Sequence, residues 1–272
     1  MNKQVFRIIS DTGRNIVATN DHPFLTSNGW VDVGNLNEGD LVAVYPMLES
    51  FSTPNPPSVE NGKIVVDEDM IKKMYPNRFK HYIKELKDRE LLPFTVNNYW
   101  AEIIARLQGH MFTDGHCGKN NLEFYCGSMN DALQISKDII RLGFKPSRID
   151  KKISKSKIKG RDVVSTNYRL TKGGALHALL VVLGTPVGRK TDLIYDIPRW
   201  LYDAELSVKR EFLSAYMGGD GGKARYCDNG SIGKVKIEDL FFHKAINVKD
   251  KGIEFAEKLK YLFKLFNVNT KN

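Results

Sequence analysis

Two short stretches carry the residues best suited to chemistry: Leu107-Gln108-Gly109-His110-Met111-Phe112-Thr113-Asp114-Gly115 and Leu213-Ser214-Ala215-Tyr216-Met217-Gly218-Gly219-Asp220-Gly221. Each reads as the last turns of an apolar helix that ends in a carboxylate, with glycine following where a left-handed cap is wanted. A single Asp-Gly is commonly only a turn. Two copies in equivalent settings, separated by about the length of one αββαββα repeat, read as a duplicated half-site. Ala101, Ala105 and Gly109 recur every four residues before Asp114, and Ser214 with Gly218 and Ala215 with Gly219 do so before Asp220. Helix axes approach closely where side chains are small, so these bare faces are expected to pack and to bring the two carboxylates together. Two anions beside two helix C-termini repel each other and oppose the helix dipoles. A hard divalent cation, Mg²⁺ or Mn²⁺, bound by Asp114 and Asp220 removes that penalty. It also supplies a Lewis acid and a metal-bound hydroxide, chemistry suited to phosphodiester hydrolysis.

The pattern resembles the LAGLIDADG homing endonucleases, in which two such helices pack side by side and each delivers one acid to a shared metal site. The resemblance implies a double-strand break in double-stranded DNA with a long recognition site, with Asp114 and Asp220 as catalytic residues and metal ligands. Pro186-Val187-Gly188-Arg189-Lys190, followed by Ile197-Pro198-Arg199-Trp200, resembles a block that precedes the second motif in intein endonucleases. The lysine of that block is commonly placed beside the metals, which makes Lys190 the candidate for polarising the attacking water or neutralising charge at phosphorus. An ordinary surface lysine would look the same.

The elements needed to position these groups are legible around them. Asn98 to Phe112 is expected to be the first motif helix, and Asn121 to Cys126 alternates as a strand. Asn130 to Leu142 has apolar residues at roughly helical spacing, and Gly143 ends it. Arg148 to Ile153 and Val163 to Leu170 flank a lysine-rich connection and read as a long hairpin, and Gly173 to Leu183 as a third helix. A second cycle opens at Leu206 to Gly219, continues through a hairpin of Lys223 to Cys227 and Lys234 to His243, and stops after a helix from Lys249 to Phe266. The second repeat is therefore expected to be incomplete. A twisted β ribbon fits the DNA major groove, so the long hairpin is the expected DNA-binding element. Its candidates are Arg148, Lys151, Lys152, Lys155, Lys157, Asn167 and Arg169, the lysines on phosphates and the Arg and Asn side chains able to read bases.

The first residues differ in kind. Val5 to Ile9, a turn at Asp11-Thr12-Gly13, Ile16 to Thr19, and Ser27-Asn28-Gly29 before Trp30 and Val31 read as short strands divided by turns. Gly13 to Thr19 followed by Asn20-Asp21-His22-Pro23-Phe24, with Gly29-Trp30, Leu36, Gly39 and Asp40 downstream, resembles a splicing block of inteins, whose fold is the Hint domain. The resemblance implies that Thr19 and His22 activate an upstream scissile peptide, the histidine donating a proton to the departing amide nitrogen. An N-terminal Cys or Ser nucleophile and a C-terminal His-Asn, expected of a splicing intein, are not found. The chain therefore reads as an intein fragment truncated on both sides, with host extein sequences as its splicing partners.

The expected fold class is α+β. A partial Hint segment (1–46) leads to a linker and small helical connector (47–96), a first LAGLIDADG repeat (97–205) and an incomplete second one (206–272). Lys80, His81, Lys84 and Lys87 would form a basic face on the connector. The 272 residues, with 42% hydrophobic residues, suffice for real cores, and a formal net charge of +9 favours a polyanionic partner. Three cysteines without CxxC spacing indicate neither a disulfide framework nor a zinc ribbon. With no apolar run long enough to span a membrane and no signal peptide, a soluble, cytoplasmic, monomeric protein is expected. Three rivals remain: a DNA-binding regulator that kept the fold without cleavage, an RNA intron maturase, and an autoprocessing Hint protein without nuclease function. Both aspartates speak against the first. The splicing-like block has no place in the second, and the third leaves the second hundred residues unexplained.

Overall fold

The computed structural model describes residues 5–9, 15–43, 62–158, 161–222, 224–227, 234–237, 240–266 and 268. The expected turn at Asp11-Thr12-Gly13 and most of the expected linker lie outside them. The chain divides into two compact units, residues 1–51 with 221–240, and residues 52–220 with 241–272. The combination of helices with small, mainly antiparallel sheets is α+β, as expected.

In the first unit, β1 (Val5–Ile9) pairs antiparallel with β2 (Asn15–Thr19), and β3 (Pro23–Thr26) with β4 (Gly29–Asp32). The tight β3–β4 turn is closed by the Thr26 hydroxyl, which donates to the Gly29 carbonyl at 2.9 Å and accepts from the Asn28 N–H at 3.1 Å. A 3-10 turn follows over Val33–Asn35.

The second unit opens with β5 (Ile64–Val66), then α1 (Glu68–Met74) and α2 (Phe79–Lys87), and closes this lobe with β6 (Phe94–Thr95) against β5. The Asp67 carboxylate accepts the Met70 N–H at 2.9 Å, with Glu68 and Asp69 in the first turn of α1 and Lys72 and Lys73 in the last, an order the helix dipole favours. This lobe is charged in sequence, yet Ile71, Leu86, Leu91 and Phe94 are fully buried. One apolar stripe per helix is enough to dock it, and Lys80, His81, Lys84 and Lys87 stay on the exposed side.

Next come α3 (Ala101–Phe112), β7 (His116–Cys117), β8 (Asn121–Cys126), α4 (Met129–Arg141), β9 (Ile149–Ile158), β10 (Arg161–Gly173) and α5 (Ala175–Val182). The strands form one antiparallel sheet in the order β7-β8-β10-β9. In β8 every second residue is buried, so Leu122, Phe124 and Cys126 face α4 with Leu170 of β10 while Asn121, Glu123 and Tyr125 face away. α1 and α2 pack on α5, the helix that also lies on β10. The hairpin β9–β10 is longer than its alternating sequence core, because pairing continues to Arg161↔Ile158. Ile153 and Val164 near its end are 59% and 61% exposed, so its apolar side is not covered there.

Two helices, α6 (Trp200–Asp203) and α7 (Leu206–Asp220), complete the helical layer with α8 (Lys249–Lys264). The intervening β11 (Ala224–Cys227) and β12 (Lys234–Ile237) pair as a hairpin of the first unit. Among the described residues no helix is long and apolar enough to cross a membrane.

Candidate functional site

The seam between α3 and α7 is tight, and glycine makes it possible. A Cβ on Gly109 would stand 2.5 Å from the Phe212 carbonyl oxygen and 2.8 Å from the Ala215 Cβ, and one on Gly219 would fall on the Thr113 hydroxyl. Of the two expected small-residue rows on α7, Ala215–Gly219 therefore lines the seam. Ser214–Gly218 does not: Ser214 is exposed and a Cβ on Gly218 would meet open space. Both rows share the four-residue period, but one helix position apart turns the second about 100° away. Phe112 packs edge-on against Phe212 and Tyr195 beneath the seam. Arg106 fastens the outer side, binding Asp138 of α4 through Nε at 2.7 Å and Nη2 at 3.1 Å and Glu211 of α7 through Nη1.

At one end of this seam stand the two aspartates. Asp220 is the last residue of α7. Asp114 follows Thr113, where the Gly115 N–H closes the final turn of α3 on the His110 carbonyl at 2.8 Å. Burial pushes the Asp220 carboxyl up to about 6; Asp114 pushes it the same way, while Lys190 and His243 pull against them. Burial also raises the more exposed Asp114 above the ordinary carboxylate range, and Lys190 opposes the rise. The two acids and Lys190 thus share one electrostatic neighbourhood. Among the described residues no group of three or more His, Cys, Asp or Glu side chains is arranged to hold a metal ion. Asp114 and Asp220 offer two carboxylates at this end of the seam, and hard carboxylate oxygens are the donor type that suits Mg²⁺ or Mn²⁺.

Lys190 is placed by a use of its ammonium that its sequence block does not disclose. Nζ donates to the carbonyls of Met111 at 3.0 Å, Gly115 at 2.7 Å and Thr113, so its three N–H groups cap the orphan carbonyls at the end of α3. Burial lowers it to about 8, against the pull of Asp220 and Asp114. The segment after β12 closes on the same loop. The Phe241 N–H donates to the Asp220 carbonyl and the Ala245 N–H to Thr191, while Lys244 Nζ donates to Lys190 and Leu193 carbonyls at 2.9 and 2.7 Å over the Tyr195 ring. The expected strand from Lys234 to His243 ends at Ile237, so His243 and Lys244 lie on irregular chain and, like Tyr195, belong to no motif or period that would mark them as site residues. Tyr216, whose buried hydroxyl lacks a partner among the described residues, was within reach: it precedes Asp220 by one helical turn on the same face.

The hairpin candidates divide between two faces. Lys152, Asn167 and Arg169 lie on the side of the sheet that carries Glu123 and Tyr125, together with Asp150, Ser154 and Ser165. Lys151 and Lys155 alternate onto the other face beside Ile153. Arg148, before β9, is 89% exposed and pairs with Asp150 at 2.7 Å. The Lys157 side chain lies outside the described residues.

In the first unit the structure brings Thr19 and His22 into one turn, the His22 N–H donating to the Thr19 carbonyl at 3.0 Å and the His22 carbonyl accepting from Val33 at 2.9 Å. The His22 ring is exposed and rests edge-on against Phe24.

No protein-family model matches the chain. It is 34% identical over 95% of its length to part of the DNA-directed RNA polymerase subunit Rpo1N of Methanocaldococcus jannaschii, covering 20% of that protein. It is 33% identical over 98% of its length to part of the tRNA-splicing ligase RtcB of the same organism, covering 28%. The replication factor C small subunit of that organism matches at 27% identity over 99% of the chain, covering 18%. The chain thus spans less than a third of each of these relatives. Among solved structures, the homing endonuclease I-WcaI bound to its DNA recognition sequence aligns with a TM-score of 0.32 and 15% identity, over 51% of this chain and 57% of that one.

Proposed function

We propose that this chain is part of an intein whose embedded LAGLIDADG homing endonuclease makes a double-strand break in DNA with a long recognition site. The observation that carries the reading is the glycine-bare seam that sets Asp114 and Asp220 in one electrostatic field, each raised above an ordinary carboxylate. The comparisons support it from a second side. Nearly the whole chain recurs as a minor part of a polymerase subunit, a ligase and a replication factor. A segment shared by three proteins of such different names belongs to none of their activities, as an inserted element would.

In this reading Asp114 and Asp220 bind Mg²⁺ or Mn²⁺, which supplies Lewis acidity and a water of lowered pKa for phosphodiester hydrolysis. Lys190 holds the end of α3 and with it Asp114, and its positive charge offsets part of the repulsion between the acids. The polar face of the β8–β10–β9 sheet lies along the major groove, with Lys152, Asn167 and Arg169 toward the DNA, Arg148 toward a phosphate at its edge, and Lys151 and Lys155, which start from the opposite face, reaching phosphates of the groove walls around the edge of the ribbon. Thr19 and His22, one turn apart, are the splicing residues of a Hint segment that acts at a junction with the host extein.

The test is cleavage of a plasmid carrying the uninterrupted host sequence, in Mg²⁺. Asp114→Asn and Asp220→Asn are each expected to lower cutting by at least a hundredfold while DNA binding persists. Cutting at the normal rate by either variant would remove the assigned roles.

A further inference from the structure

The polar sheet face holds a chain of charges that no sequence motif announces. Arg148 Nε meets Asp150 at 2.7 Å, Asp150 lies 3.7 Å from Arg169 Nη2, and Arg169 Nη1 lies 3.9 Å from Glu123. Glu123 is itself fixed, accepting the Tyr125 hydroxyl at 2.7 Å and the Asn121 amide at 3.3 Å. Strand register makes this arrangement possible, since Arg169 is directly opposite both Tyr125 on β8 and Asp150 on β9. At 3.7 and 3.9 Å the two carboxylates hold the guanidinium between them by charge and not by hydrogen bonds, so they do not use up its five N–H donors. The side chain remains 40% exposed.

The two carboxylates also decide which part of a duplex can meet this spot. Glu123 and Asp150 would repel phosphates, so the centre of the face is disfavoured for backbone contact and suited to the floor of the groove, where base edges present neutral donors and acceptors. A planar two-pronged donor presented there fits the O6 and N7 acceptors of guanine. Resting on the DNA-cleaving reading above, we infer that Arg169, braced by Glu123 and Asp150, reads one guanine of the recognition site and sets specificity at that base pair. Glu123 and Asp150 are positioning residues.

The experiment selects bound sequences from a randomised duplex library with the full chain in EDTA, which keeps bound DNA uncut, and repeats the selection with Arg169→Lys, Arg169→Gln and Glu123→Gln, each checked by thermal melting. The wild type is expected to enrich guanine at one fixed position. Arg169→Lys retains the charge and loses the fork, so preference at that position should fall on the order of ten- to a hundredfold while other positions keep theirs. Glu123→Gln should weaken preference at the same position. A profile unchanged in both Arg169 variants, or weakened evenly at all positions as a phosphate contact would give, overturns the inference and leaves the nuclease reading standing. Absence of any enriched sequence with the wild type overturns the DNA-recognition reading itself and this inference with it.

Discussion

Asp220 shows how burial beside a second carboxylate strains the chain that carries it. Its carboxyl is raised from an unfolded value near 4 to about 6 in the fold. The folded state therefore holds that proton more tightly than the unfolded state does. The stabilising effect of protonation is complete below the unfolded value and is lost as pH rises toward 6, so above pH 6 the metal-free protein carries an electrostatic penalty. Discounted for partial exposure, this is about 1–2 kcal/mol. Asp220→Asn is therefore expected to raise the melting temperature by a few degrees in EDTA at pH 7.5 and to leave it unchanged near pH 4. If Asp220 holds Mg²⁺ as proposed, the order is expected to reverse in excess Mg²⁺, because the wild type then gains binding energy that the variant lacks. Thermal melts across pH and metal concentration give the answer, and equal melting temperatures at pH 7.5 in EDTA would mean that Asp220 is not under this strain.

At the scale of elements the α3–α7 seam makes the sharpest demand on residue type. A methyl group on Gly109 would meet the Phe212 backbone carbonyl, which cannot swing aside, so Gly109→Ala must push the helices apart. The expected cost is about 1–3 kcal/mol in chemical denaturation. Gly218→Ala sits on the same seam-forming helix with open space around it and should be neutral or stabilising by up to about 1 kcal/mol from helix propensity. Equal effects would show that the seam is not packed as described. This pair also marks what could be read from residues alone. Four-residue spacing of small side chains revealed two helices able to approach, and the apolar period placed α4, α5, α7 and α8 to within a few residues. It did not select between two equally spaced rows, because that depends on where Phe212 and Tyr216 bury their rings. The division of Lys151 from Lys152 was within reach, since adjacent strand residues face opposite ways. The capping of α3 by Lys190 was not, because a lysine's partners far along the chain leave no trace in its neighbours.

Over the whole molecule, the net charge of +9 is spread rather than concentrated at the two acids. Lys73, Arg78, Lys80 and Lys84 on the α1–α2 lobe and Lys151, Lys152 and Lys155 on the hairpin make no ion pair among the described residues, whereas Lys87 is paired with Glu68 and Arg106 with Asp138 and Glu211. Such unpaired cations release counterions from any duplex they touch, whatever its sequence. With roughly four phosphate contacts, affinity for an unrelated duplex should fall about a hundredfold between about 50 and 200 mM salt. Lys151→Gln, Lys152→Gln and Lys155→Gln together should flatten the slope of log affinity against log salt by up to about 3, while Asp114→Asn leaves that slope unchanged. Titration of a labelled duplex across salt measures this. A slope that ignores the three lysines would move the phosphate contacts off the hairpin and onto the α1–α2 lobe, and Lys80→Gln with Lys84→Gln in the same titration would then have to account for the loss.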